Sequence, residues 1–315
     1  MKTHLVIVNL VVTGGAGFIG SHLVEHLVNK GHSVTVLDNL HSGKIENLRS
    51  IRNEIEFHEI DILDHGKLRN VVKNADGVFH EAALTVVQES FTKQKEYHGV
   101  NVKGTENIFK LAKEFDFKVV FASSSSVYGN AKKIPITENF KRKSLNPYGN
   151  TKLEGEYLAE RYAKLGVRVI GLRYFNVYGS QQNTAYAGVI TKFLENIANR
   201  KPPLIYGDGL QVRDFVFVED VAKVNLMAMK SSVEHTFVNI GSGIAVSIRE
   251  LANMIIRLSG LAIKPLYSDA LKGDVRASQA DISLVKKLLN WEPQTKLEDW
   301  LNEIILKTQK DKIKN

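Results

Sequence analysis

The sequence predicts an α/β protein, a doubly wound parallel sheet with a smaller C-terminal lobe. Three observations predict it. Six short β-rich apolar runs alternate with amphipathic helical stretches through the first half, the pattern of strands buried on both faces of one sheet. The first run passes straight into a glycine-rich loop and a helix, the arrangement that opens a dinucleotide-binding unit. After about Phe175 the rhythm changes to longer loops and turns, which sets residues 1–175 apart from 176–315.

In chain order, strands are expected at His4–Val12, Ser33–Leu37, Ile55–Glu59, Gly77–His80, Lys118–Ala122 and Arg168–Leu172. Helices fill the gaps at Gly17–Lys30, with Ile19, Leu23, Leu27 and Val28 apolar, at Val100–Phe115, with Ile108, Leu111 and Ala112, and at Tyr148–Leu165, with Leu153, Tyr157, Leu158 and Tyr162. The second part reads as helices at Val189–Asn199, Val218–Met229 and Ile248–Leu258, separated by Lys201-Pro202-Pro203 and the turn Gly207-Asp208-Gly209. The run His235–Ile240 is expected to return to the first sheet.

The composition suits a soluble globular chain of 315 residues, with 43% hydrophobic and 24% charged residues and a mean hydropathy of -0.14. Cysteine is absent, which removes disulfides, thiolate zinc sites, iron–sulfur clusters and cysteine nucleophiles together. Met1–Val12 lacks the charged start and cleavage pattern of a signal peptide and reads as a buried strand. No segment reaches the roughly 18 consecutive apolar residues of a membrane helix, so the expected location is cytoplasmic and the membrane is not a partner.

The net charge of +8 raises nucleic acid as a partner, but its distribution argues otherwise. Residues 132–143 carry +4 and residues 307–315 carry +3, leaving +1 for the rest of the chain. No recognition module or basic–aromatic interleaving accompanies either cluster. The C-terminal cluster reads as a solvated, frayed tail. The other directly precedes Pro147-Tyr148 and is read either as a solvated loop or as an attractor for an anionic substrate.

Thr13-Gly14-Gly15-Ala16-Gly17-Phe18-Ile19-Gly20 joins a strand to a helix, where missing Cβ atoms let the backbone approach a pyrophosphate and the helix N-terminus offers N–H groups. The second strand ends at Asp38, placed where a carboxylate accepts from both ribose hydroxyls and repels a 2′-phosphate, which favours NAD over NADP. His22, Glu25 and His26 match an inverted zinc-protease pattern, yet the helix packs behind the pyrophosphate and no third ligand is evident, so no metal is expected.

Further along, Tyr148 and Lys152 share one helix face at i,i+4, and the fifth strand delivers Ser123, Ser124, Ser125 and Ser126 at its C-terminal edge. A phenol with an ordinary pKa of about 10 works as a base near neutrality only if a cation stabilises its phenolate, the part assigned to Lys152 beside an oxidised nicotinamide. A serine hydroxyl then holds or relays the proton of a substrate alcohol.

With these pieces in place the chain resembles an extended short-chain dehydrogenase/reductase, most closely the UDP-glucose 4-epimerase family. The matching segments run its whole length: residues 13–23, Leu37-Asp38-Asn39, Asp61-Ile62, His80-Glu81-Ala82-Ala83, residues 101–105, residues 124–129, Pro147-Tyr148 with Lys152, residues 173–179, residues 211–215, Gly273-Asp274 and residues 289–293. The resemblance implies a Rossmann domain and a nucleotide-sugar lobe, NAD as cofactor, a UDP-sugar as substrate, a homodimer built on two long helices of the first part, and C4 epimerisation of UDP-glucose or UDP-galactose.

It implies Ser124, Tyr148 and Lys152 as the catalytic trio. NAD contacts are implied at Gly14, Gly17, Phe18, Ile19, Gly20, Asp38, Asn39, Ser42, Gly43, Asp61, Ile62, Ala82, Ala83, Asn101, Ser123, Tyr148, Lys152 and Tyr174. Sugar-nucleotide contacts are implied at Ser124, Ser125, Tyr148, Asn176, Val189, Tyr206, Gln211, Arg213, Asp274 and Ser278, with Tyr206 packing on the uracil and Arg213 on phosphate.

Two departures matter. Leu271 stands where the family usually has a diphosphate-binding arginine, with Lys272 and Arg276 close by. Ser278 stands where a large residue excludes bulky sugars, which implies that UDP-GlcNAc and UDP-GalNAc are accepted too. Related dehydratases need an acid pair where this chain has Ser125 and Ser126, which argues against 4,6-dehydration. A UDP-glucuronate 4-epimerase is the second reading, although such enzymes typically have threonine in place of Asn176. A non-catalytic NAD- or sugar-sensing protein is the third, although such proteins usually lose the tyrosine or the lysine, and both are present here.

Overall fold

The structure, a computed structural model, describes residues 8–182 and 188–314, with side chains as far as residue 310. His4–Ile7, the start of the first expected strand, lie outside the described residues. The chain begins with β1 (Asn9–Thr13), α1 (Phe18–Asn29), β2 (Ser33–Asp38), β3 (Ile55–Glu59), α2 (His65–Val72) and β4 (Gly77–His80). It continues through α3 (Val87–Ser90), α4 (Gln94–His98), α5 (Thr105–Phe115), β5 (Lys118–Ser124), α6 (Pro147–Ala163) and β6 (Val169–Tyr174). These strands and β10 (His235–Ile240) make one seven-stranded sheet in the order β10-β6-β5-β4-β1-β2-β3, parallel at every pairing. The chain winds outward from β1 through β2 and β3, then reverses to β4 on its other side. That reversal opens a crevice at the strand ends, where such sheets take ligands.

Two apolar layers cover the sheet. Leu23, Leu27, Val221 and Val224 fill one face together with Leu289 and Trp291, while Leu68, Ile108, Phe109, Ala159 and Tyr162 fill the other, all nearly or fully buried. The near-continuous burial of Val119, Val120, Phe121, Val169, Ile170 and Leu172 explains why β5 and β6 read as unbroken apolar runs.

Beyond β6 come β7 (Asn176–Tyr178), α7 (Val189–Ala198), β8 (Leu204–Tyr206), β9 (Val212–Phe217), α8 (Val218–Lys230), β11 (Ala245–Ser247), α9 (Ile248–Ser259), β12 (Leu266–Ser268), α10 (Ser283–Leu289) and α11 (Leu297–Lys314). Here β9 lies between β7 and β11, and β8 pairs with β12. A separate core of Phe193, Ile205, Leu251, Ile255, Leu301 and Ile305 holds α7, α9 and α11 together.

Beyond small shifts at element ends, such as β6 running to Tyr174, three differences from the sequence reading stand out. The fifth strand runs two residues further, so Ser123 and Ser124 lie within it rather than after it. The stretch before α5 is a π-helical turn over Gly99–Gly104, opened where the Asn101 side chain leaves the helix to bond Leu84 and Thr151. The C-terminal basic stretch is not frayed: α11 continues to Lys314, anchored by buried Leu301 and Ile305 and by a Gln309 amide that donates to the Ser259 carbonyl at 3.0 Å.

Candidate functional site

At the reversal between β1 and β4 lies a cleft of about 570 Å³. Its first wall is the glycine loop. A Cβ on Gly14, whose φ is +69°, would lie 2.7 Å from the Ala82 backbone, and one on Gly20 would lie 2.1 Å from the Gly14 carbonyl oxygen. No side chain caps α1 at Gly17, so its first turn is left to a ligand. Phe18, Ile19 and Gly17 line the cleft beside it. This cradle fits a pyrophosphate.

At the end of β2, Asp38 is nearly buried, and its carboxylate accepts from the Ala16 N–H at 3.0 Å and the Leu40 N–H at 2.8 Å. Burial raises its carboxyl above the ordinary range, and these two hydrogen bonds oppose the rise. A Cβ on Gly43 would lie 2.9 Å from that carboxylate, so glycine lets the following loop close over Asp38. Asn39 donates to Asp61 at 3.0 Å, which aligns the ends of β2 and β3, and Ser42, Asp61 and Ile62 line the same side.

The floor is set by a directional chain. The Thr105 hydroxyl donates to the Asn101 carbonyl at 2.7 Å, so it accepts from His80 Nε2–H at 2.9 Å, and His80 Nδ1 accepts from the Thr13 hydroxyl at 2.8 Å. Burial, with the Lys152 charge adding to it, pulls His80 down to about 3, so the ring is neutral. His22, the other notable histidine, meets the Ser180 carbonyl at 3.1 Å.

On the opposite wall stand Ser123, Ser124, Tyr148 and Lys152. Asn146 caps α6 by accepting from the Gly149 N–H, and Pro147 starts it, so Tyr148 and Lys152 project from its first turns. Lys152 Nζ donates to the Ala122 carbonyl at 2.8 Å. Burial pulls its ammonium down to about 8, against the nearby Glu81 carboxylate. The Tyr148 phenol interacts with the Ser124 hydroxyl beside it on this wall. Ser124 Oγ already accepts from the Ser126 N–H at 3.2 Å and from the Ser126 hydroxyl at 2.9 Å, which leaves its own hydrogen for the phenol oxygen. Burial raises the Tyr148 phenol, and this bond lowers it.

Ala82, Ala83, Tyr174 and Asn176 complete the cleft. Asn101 instead ties the loop after β4 to α6, through Leu84 and Thr151. Ser125 opens the turn after β5, and Val189 opens α7, neither of them on the cleft wall. Tyr206, Gln211, Arg213, Asp274 and Ser278 form a second group around β9. Gln211 donates to the Tyr206 carbonyl at 2.7 Å, Arg213 pairs with Asp274, and the backbone N–H of the buried Ser278 donates to the Val212 carbonyl at 3.2 Å. The loop bearing Asp274 reaches the start of α6, since a Cβ on Gly273 would touch Phe91 and the N-cap residue Asn146. Lys272 lies 5.0 Å over the Phe91 ring and Arg276 pairs with Asp208 at 2.7 Å, so both cations beside Leu271 have partners. In the other basic cluster, Arg142 is held by Glu156 and Glu160 and is not free for an anionic substrate.

Sequence reasoning missed three groups. Ser126 orients Ser124, for which the signal was the run of serines capping a turn after a strand. Ser90 accepts from the Tyr148 N–H at 3.1 Å. Glu81 lines the cleft and accepts from the Tyr174 hydroxyl at 2.8 Å.

A model of the NAD dependent epimerase/dehydratase family matches residues 10–241. The chain is 35% identical to a UDP-glucose 4-epimerase of Thermotoga maritima, solved with UDP-glucose, with a TM-score of 0.91 over 96% of this chain and 99% of that one. It is 37% identical to a UDP-N-acetylglucosamine 4-epimerase of Methanobrevibacter ruminantium, solved with UDP-N-acetylmuramic acid, with a TM-score of 0.89 over 95% and 97%. A UDP-N-acetyl-alpha-D-glucosaminuronate decarboxylase of Bacillus cytotoxicus is 35% identical over 94% of this chain and 96% of its own.

Proposed function

Because the chain belongs to the NAD dependent epimerase/dehydratase family, we propose that its cleft inverts C4 of a UDP-hexose through a transient 4-keto sugar. It is an enzyme of the epimerase class, and NAD is its cofactor. The glycine loop and Asp38 hold that cofactor, and when bound it supplies a reversible hydride acceptor beside the sugar.

The chain's own residues move the proton. Tyr148 takes it from the 4-hydroxyl, Ser124 directs its hydrogen at the phenol oxygen, and the Lys152 ammonium stabilises the phenolate. Tyr148 then returns the proton to the C4 oxygen once the keto form has turned its other face toward the bound cofactor. The observation that carries this reading is the placement of Ser124, Tyr148 and Lys152 together on one wall of a cleft cradled by glycine. Ser125 and Ser126 lack the acidity needed to expel a 6-hydroxyl, which favours epimerisation over dehydration. The site reading includes Arg213 on the diphosphate and Tyr206 on the uracil, and Ser278 leaves room for a 2-acetamido group. The α5–α6 face, with Tyr157 exposed, would join two copies as a homodimer.

The test is a panel of UDP-hexoses, plain, 2-acetamido and 6-carboxyl, incubated with purified protein and separated by product. Interconversion of UDP-glucose with UDP-galactose, and of UDP-GlcNAc with UDP-GalNAc, is expected. Conversion of the plain sugars alone overturns the reading of Ser278, and conversion of the 6-carboxyl sugar alone makes the protein a UDP-glucuronate 4-epimerase.

A further inference from the structure

Glu81 is a cleft residue to which the proposed reaction gives no part. It follows His80 at the end of β4, and the strand register that sets His80 opposite Phe121 brings it beside Ala122. Ala122 is the residue whose carbonyl receives Lys152 Nζ at 2.8 Å. The carboxylate is fixed from behind: Asn225 Nδ2 donates to the Tyr174 hydroxyl at 2.8 Å, and that hydroxyl donates to Glu81 Oε1 at 2.8 Å. Asn225 is fully buried and Tyr174 nearly so, so this support has no slack. Among the residues lining the cleft, Lys152 is the one lysine or arginine, whereas Asp38, Asp61, Glu81 and Glu96 are acidic.

We propose that Glu81 is a positioning residue for the reaction read above, its carboxylate being the buried counter-charge that holds Lys152 as an ammonium. This rests on that reading of the site. A lysine removed from water sheds its proton readily unless an opposite charge stands near it. Lys152 shows that competition, with burial drawing it down to about 8 and Glu81 opposing the fall. Glu81 mirrors it: burial pushes it up to about 7, against the Tyr174 bond and the Lys152 charge. The other groups around the pair are accounted for. His80, on Glu81's own strand, is neutral; β5 presents Ser123 and Ser124; α6 presents Tyr148; β6 and α8 present Tyr174 and Asn225. None of them supplies a second negative charge to Lys152.

The sign of the pH effect follows. As pH rises through the range in which Lys152 loses its proton, the phenolate loses its cation and turnover falls. Without the Glu81 charge this loss begins at lower pH. Glu81→Gln keeps an oxygen for the Tyr174 hydroxyl and removes the charge. In the NAD-loaded protein we expect the alkaline limb of the kcat profile to move down by about one pH unit. A merely structural role would lower kcat equally at every pH.

A second readout needs no substrate. In protein carrying 13Cε-labelled lysine, the Lys152 resonance is assigned by its loss in Lys152→Met, and its titration midpoint falls in Glu81→Gln. An unmoved Lys152 midpoint, or a uniform drop in kcat with the limb unshifted, overturns the proposal. If no UDP-sugar turns over in the parent protein, the epimerase reading fails, while the lysine midpoint still decides whether Glu81 holds Lys152.

Discussion

In the proposed reaction, Tyr148 is the residue on which turnover most directly depends. Tyr148→Phe removes one oxygen from a wall that otherwise stays packed, so NAD should remain bound while turnover falls by about 10²- to 10⁴-fold. Bound-cofactor absorbance and product formation, measured on one preparation, check both halves. The meeting of Ser124, Tyr148 and Lys152 on one cleft wall was legible in the sequence because their spacing is local: Tyr148 and Lys152 share a helix face, and Ser124 ends a strand. Glu81 was visible only as a letter in a motif. Its meaning comes from Tyr174 and Asn225, which reach it from β6 and α8, and no local period relates those positions.

Among the elements, α6 carries Tyr148 and Lys152 and is fastened to the sheet by charge as well as by apolar packing. Glu156, fully buried, accepts from the Ser123 hydroxyl at 2.6 Å and from two guanidinium nitrogens of Arg173, at 2.8 and 2.9 Å. Glu156→Ala would leave Arg173 buried without its partner, and a loss of about 3–5 kcal/mol in urea unfolding is expected. Arg142→Ala touches the same carboxylate from the partly exposed side and should cost about 1 kcal/mol or less. Equal losses in the two variants would contradict this account. The long first-half elements were readable from apolar period, often to within two residues. Three-residue strands such as β7, β8 and β11 were not, because a strand that short has no period and forms only through its partner.

For the molecule as a whole, the second core depends on the last helix. Leu301 is fully buried against α7 and α9, and Trp300 stacks edge-on against Tyr178 with ring centroids 5.1 Å apart. Leu301→Ala should cost about 2–5 kcal/mol by leaving a cavity, and a thermal melt measures it. The expectation of a frayed C-terminus failed because its charges are conspicuous in sequence while Leu301 and Ile305, which anchor the helix, stand before them. Net charge likewise misled until it was located. Among the described residues no helix is long and apolar enough to cross a membrane.

The seventh strand carries one more consequence. β10 completes the sheet beside β6, yet residues 175–234 intervene. During synthesis the edge of β6 therefore emerges well before the strand that covers it, with unpaired backbone groups and buried-type side chains along it. A chain interrupted before Ile240 would keep that edge open and be prone to join others like it. The reach of β10 across the second part thus makes the first part's solubility wait on the synthesis of the second.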